Sequence, residues 1–123
     1  MNWSGIGAIA LGLAVLTGAF GAHALRDRLD ARTLDVWEKA VFYHVIHAAG
    51  LLIVPIFAKS GMLRSSTATR VCWMLAVGVL LFSGSLYALS LSGVRLLGAV
   101  TPVGGIAFIG AWLLLGWGLF THR

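Results

Sequence analysis

Charge is scarce in this 123-residue sequence: Asp, Glu, Lys and Arg make up 11% of it, and only four of those residues are acids. A soluble domain carries about a quarter charged residues, so a water-soluble fold would lack the polar surface to cover its core. Disorder is excluded more firmly, because too few charges are present to keep the chain solvated. The single cysteine rules out an internal disulfide and any cysteine-built zinc or iron–sulfur site. The phosphate-binding glycine loop, the nucleophile elbow and the zinc-protease histidine pair are all missing. No catalytic residue is singled out, and no cofactor is expected. What is abundant is apolar: 59% of the residues are hydrophobic and the mean hydropathy is +0.94.

The few charges divide the chain into long neutral blocks. No charged side chain occurs from Met1 to Leu25, from Ala40 to Ala58, from Val71 to Val94, or from Leu96 to His122. Each block reaches the roughly 20 residues that a helix needs to cross about 30 Å of hydrocarbon. The sequence predicts an all-α integral membrane protein: one domain over 1–123, an antiparallel bundle of four transmembrane helices near 3–22, 40–58, 71–91 and 102–120. Ala22-His23-Ala24 has the small residues of a signal-peptide cleavage site, but no Lys or Arg precedes it. The first helix is therefore expected to stay.

Helix punctuation supports these limits. Ser60-Gly61 and Ser92-Gly93 close the second and third spans. Thr101-Pro102 reads as the cap and first residue of the fourth. Pro55 falls inside span two and frees the carbonyl of Leu51. Trp3, Trp37, Trp73 and Trp117 fall at span ends, where indole rings favour the headgroup level. In the first loop, Leu25, Leu29, Val36 and Ala40 oppose Arg28, Arg32, Asp35 and Lys39, which predicts a short amphipathic helix in the interface between helices 1 and 2.

Four spans put both termini on one side of the membrane, with Lys59, Arg64, Arg70 and Arg123 there and Arg26, Arg28, Arg32, Lys39 and Arg95 opposite. That count is nearly balanced, and a dual topology stays open. The second loop has cations and no acid, which leans the reading toward cytoplasmic termini. The basic residues form no compact patch, so the pI of 10.4 does not point to nucleic acid.

Antiparallel threading gathers the polar side chains. His23, Tyr43, His44, His47, Ser83, Ser85, Tyr87, Arg95 and Thr101 all come to one membrane surface. His47 should lie level with Ser83 and Tyr43 with Tyr87, roughly 6–12 Å deep by helical rise. Two uses compete. In one, the imidazoles, hydroxyls and carbonyls bond across helices and hold the bundle. In the other, His23, His44 and His47 bind a metal or haem or relay protons, or the cluster takes a polar headgroup. No acid or thiol inside a span completes a metal set, which favours the structural use. Arg95 with Thr101, Gly104 and Gly105 forms a second candidate, for a lipid phosphate at a helix start. Ala8, Gly12, Ala14, Gly18 and Ala22 run small-xxx-small along span one and invite a close helix neighbour.

Several strings resemble one known family. Gly18-Ala-Phe-Gly-Ala-His23, Tyr43 with His47, Leu81-Phe-Ser-Gly-Ser-Leu-Tyr87, Thr101-Pro-Val-Gly-Gly105 and Gly116-Trp117 occur in the order found in the YgdD/YwdK-like membrane proteins, a domain-of-unknown-function family. Gly110-Ala-Trp112 departs from that pattern by its central alanine. The resemblance implies a four-helix protein of the bacterial inner membrane and carries no settled activity. The expectation is then a non-enzymatic, homo-oligomeric bundle that binds membrane lipid or a membrane-protein partner through its polar leaflet. The alternatives are a small transporter or channel, lacking the first-helix glutamate of small drug exporters, and a metal or haem site on the three histidines.

Overall fold

A computed structural model describes residues 1–122. Arg123, counted above among the cations of the terminus side, lies outside them. The described chain is all helix and turn: α1 (Trp3–His23), α2 (Ala31–Lys59), α3 (Ser65–Ser92) and α4 (Leu97–Thr121). All four are long and apolar enough to cross a membrane. α1 packs along α2, α2 against α3, and α4 along α3, so α2 and α3 form the middle of the bundle. The core between them holds Leu51, Val54, Val71, Cys72 and Leu75.

The amphipathic interfacial helix is not a separate element. Ala24–Asp30 makes a tight turn in which Leu25 is buried and accepts from the backbone N–H groups of Arg28 and Leu29. The rest of the segment is the first part of α2, which runs unbroken for 29 residues, about 43 Å. Asp30 caps it by accepting from Thr33 N–H at 2.7 Å, and no glycine or proline interrupts it before the neutral block begins. Asp35 and Lys39 form the expected ion pair at 3.1 Å, both exposed.

Two helix ends are as the sequence reads them. Gly61 (φ 78°) and Gly93 (φ 72°) adopt the left-handed conformation that only glycine takes cheaply, and Met62 N–H reaches back to Phe57 O to close α2. The start of α4 is different. The helix begins at Leu97, and Pro102 lies inside it. The N–H groups of Leu97, Gly98 and Ala99 bond to Val94, Arg95 and Leu96 carbonyls, each three residues back. This tight first turn starts the helix ahead of the proline and displaces Thr101-Pro102 from the capping position.

Two backbone crossings set the helix spacing. At Gly7 of α1 a Cβ would meet Leu51 C at 2.8 Å and Ala48 O at 2.9 Å, next to the stretch of α2 that Pro55 loosens. Ser4 Oγ fixes that crossing by donating to Leu52 O at 2.9 Å. At Gly104 of α4 the backbone of Leu81 and Phe82 fills the place of a side chain. The inward face of α1 is therefore Trp3, Gly7, Ala14 and Gly21. Of the small-residue stripe, Ala14 is buried, whereas Ala8, Gly12 and Ala22 face outward. Tryptophans also divide: Trp117 is exposed, while Trp3 and Trp37 are buried. Trp37 lies over Gly21 and donates from Nε1 to Thr17 O at 2.8 Å, anchoring the extended start of α2 to α1.

Gly7→Val should lower stability by about 1–3 kcal/mol, because the added methyls have backbone and not a flexible side chain to displace. Gly116→Val, whose added Cβ would meet no neighbouring helix within 4 Å, is the matched control, and thermal unfolding in detergent separates them. The Asp30 carboxyl is held below its ordinary range by hydrogen bonds from the Thr33 side chain and N–H. Its capping contribution is present above the unfolded carboxyl pKa and is lost as pH falls through the folded one, so the first turn of α2 should fray below about pH 4. Hydrogen exchange on residues 31–34 reads this, and Asp30→Asn should remove the pH dependence while keeping a cap.

Candidate functional site

The middle of α3 is not a regular α-helix. Val79–Gly84 forms a π-helical turn, which carries one residue more than the α-helical path. It coincides with the Phe-Ser-Gly-Ser string, and its Leu81–Phe82 backbone is where Gly104 of α4 crosses. The two most distinctive strings of the sequence thus meet at one contact. The wide turn contains Ser83 and sets the direction of the side chains beyond it, Ser85 and Tyr87 included.

Tyr87 reaches across α2 to α1. Its hydroxyl lies 2.8 Å from His44 Nδ1 and 3.0 Å from Thr17 Oγ1, which donates to Ala14 O at 3.0 Å. A hydroxyl has one proton, so all three bonds form in one direction only: His44 Nδ1–H to Tyr87, Tyr87 O–H to Thr17, Thr17 O–H to Ala14 O. The chain ties α1, α2 and α3 together, and the Tyr87 ring packs on Trp37 at 4.7 Å.

His47 is held separately. Its Nδ1–H donates to Tyr43 O, one turn back on the same helix, at 2.6 Å, and its ring stacks on Phe108 of α4 at 3.4 Å between centroids. Tyr43 packs on Phe82 at 4.6 Å. Ser83 donates to Ala40 O at 2.8 Å, while Ser85 and Thr101 hydroxyls meet at 2.6 Å across α3 and α4. The sequence sets these residues level in depth and names no partners; the structure bonds Tyr87 to His44 and Ser83 to the Ala40 carbonyl.

Other candidates are not brought together. His23 is exposed at the end of α1, and no three His, Cys, Asp or Glu side chains among the described residues are grouped to hold a metal. Gly104 and Gly105 are well inside α4, and Gly104 is buried against α3, so their amides are not a free helix start for a phosphate. Arg95 lines a different hollow, with Arg32, Thr33 and Ser90. Sequence reasoning missed Thr17, Trp37 as an inward hydrogen-bond donor, and Phe108 as the ring under His47. Thr17 had one signal: it is the only hydroxyl in α1 beyond Ser4. Phe108 had none, being one aromatic among many.

Between α1 and α3, above α2, lies a groove of about 310 Å³ lined by Ile6, Ala10 and Leu13 on one side and Leu80 and Gly84 on the other. His44 and Tyr87 form part of its wall, and among the described residues no buried side-chain nitrogen or oxygen lacks a hydrogen-bond partner. The outer rim is open to the membrane: Leu13 is 51% and Leu80 72% exposed.

The sequence matches the family described as "Protein of unknown function (DUF423)" over residues 17–105. A UPF0382 membrane protein of Staphylococcus saprophyticus is 46% identical over 115 residues, covering 94% of this chain and 93% of its own. The UPF0382 membrane protein YwdK of Bacillus subtilis is 45% identical over 112 residues, covering 89% of each. Another, from Staphylococcus haemolyticus, is 44% identical over 110 residues, covering 89% of this chain and 88% of its own. No solved structure matches. The match over 17–105 takes in Thr17, Trp37, His44, His47, Tyr87 and Gly104.

Tyr87→Phe removes the central hydroxyl and leaves His44 and Thr17 facing each other without a bridge. It should cost about 0.6–2 kcal/mol of bundle stability, the range of interhelical hydrogen bonds in membranes. Thermal unfolding of the purified variant measures the loss, and Ser92→Ala, which removes an exposed hydroxyl bonded only within α3 and its following turn, should not reproduce it.

Proposed function

The chain belongs to the UPF0382 (DUF423) family of membrane proteins of unknown function, and from that premise we propose that it is a non-enzymatic helical bundle that binds a membrane lipid by its acyl chain. The groove between α1 and α3 supports this reading. Its wall holds His44 and Tyr87, but the His44 Nδ1 and the Tyr87 hydroxyl are directed at each other and at Thr17. What the groove offers an occupant is apolar surface at a depth where the available molecules are lipids. The polar cluster is then the lock that keeps three helices at the spacing the groove needs.

In this proposal the protein sits in the bacterial inner membrane with both termini in the cytoplasm, on the side where Lys59, Arg64 and Arg70 have no acid among them. Copies of the bundle associate, with Ala8 and Gly12 of α1 facing away from the other helices as the support for that part.

Native mass spectrometry of the detergent-purified protein tests the reading. Wild type should carry lipid on a defined oligomer. Ala10→Phe fills the groove from the α1 side and leaves the His44, Tyr87 and Thr17 side chains themselves unaltered, and should reduce the lipid-bound fraction at least about tenfold, the ratio that about 1.4 kcal/mol of lost contact gives. A lipid-free wild type with its oligomer intact overturns the proposal, and so does an unchanged lipid load in Ala10→Phe.

A further inference from the structure

The two ends of the bundle differ in charge. At the end that carries the first loop, Arg26, Arg28, Arg32, Lys39 and Arg95 are interleaved with Asp27, Asp30, Asp35 and Glu38, which are all the acids in the chain. At the other end, Lys59, Arg64 and Arg70 have no carboxylate side chain near them. The only ion pair among the described residues is Asp35–Lys39, at the first end.

Arg64 and Arg70 are not dispersed over that acid-free surface. With Thr67 between them they lie at the start of α3, opposite Trp117, Thr121 and His122 at the end of α4, around a hollow of about 350 Å³. Below it the helices are in close contact, since Leu63 and the Thr67 methyl group fill the space where a Cβ on Gly118 would be. Thr67 Oγ1 has no hydrogen-bond partner among the described residues, in contrast to Thr69 and Thr121, whose hydroxyls donate to backbone carbonyls one turn back. Trp117 is 69% exposed on the rim, at the helix end where an indole takes the headgroup level.

We infer that this hollow binds the phosphate of an anionic lipid headgroup. Two guanidinium forks suit phosphate oxygens, Thr67 supplies a hydroxyl donor, and Trp117 packs beside the glycerol region. The hollow at the opposite end also has two arginines, Arg32 and Arg95, but Asp30 lies two residues from Arg32 and acts on it electrostatically. The hollow with no acidic side chain among the described residues is the anion site, and with cytoplasmic termini it faces the leaflet whose surface is negative.

The full-length protein, titrated with phosphatidylglycerol, phosphatidylcholine or inorganic phosphate and read by native mass spectrometry, tests this. Wild type should prefer phosphatidylglycerol to phosphatidylcholine. Arg64→Gln with Arg70→Gln should weaken phosphatidylglycerol binding about thirtyfold, which corresponds to about 1 kcal/mol per arginine, and leave phosphatidylcholine binding unchanged. Arg32→Gln with Arg95→Gln should keep the preference. Unchanged phosphatidylglycerol binding in the Arg64/Arg70 variant overturns the inference, as does an equal loss in the Arg32/Arg95 variant. Tighter retention of inorganic phosphate than of the lipid overturns it too. Ala10→Phe, which blocks the groove, should leave headgroup selectivity intact, so the two proposals fail separately.

Discussion

Inside a bilayer a polar side chain has no water to turn to, and the architecture of this protein follows from how its few such groups find partners. The decisive set is the Tyr87 hydroxyl between His44 and Thr17. It is made of three helices, so none can rotate or slide without leaving a polar atom bare in hydrocarbon. Apolar packing alone would not fix that arrangement, because one leucine-rich face fits lipid tails about as well as it fits another helix. Hydrogen bonds set the rotation, and glycines at the crossings set the distance.

Those two devices meet in the centre of α3. The π-helical turn brings Ser83 to the Ala40 carbonyl and Tyr87 to His44, and its widened backbone receives Gly104. Neither string is explained alone. Phe-Ser-Gly-Ser-Leu-Tyr provides the wide turn and its hydroxyls, and Thr-Pro-Val-Gly-Gly provides the hydroxyl that meets Ser85 and the bare backbone that fits against the turn.

How much of this was legible depended on the period of the signal. Four spans were plain, because twenty uncharged residues in a row have few other uses. The ends closed by Gly61 and Gly93 were legible because a positive φ has a chemical preference. Partner identities were not. Tyr87 bonds to His44 beyond a π turn, and an irregular turn leaves no periodic trace in the sequence. The separate interfacial helix failed for a similar reason: amphipathic spacing from Leu25 to Ala40 shows that a helix with two faces is present, but not that Trp37 stitches it to α1 as the first turns of a longer one. Thr101-Pro102 misled because a proline at the first position and a proline a turn later have the same neighbours in sequence.

The extra residue in α3 changes how that helix faces its surroundings. A helix with one uniform thread would turn the same side toward the same neighbour from end to end. Here the thread slips once, between Val79 and Gly84. Before the slip α3 sets Cys72 and Leu75 into the core; after it, Tyr87 is aimed across α2 at α1. One helix thereby serves two sets of neighbours, and a chain of modest length closes a three-helix contact that would otherwise call for another segment.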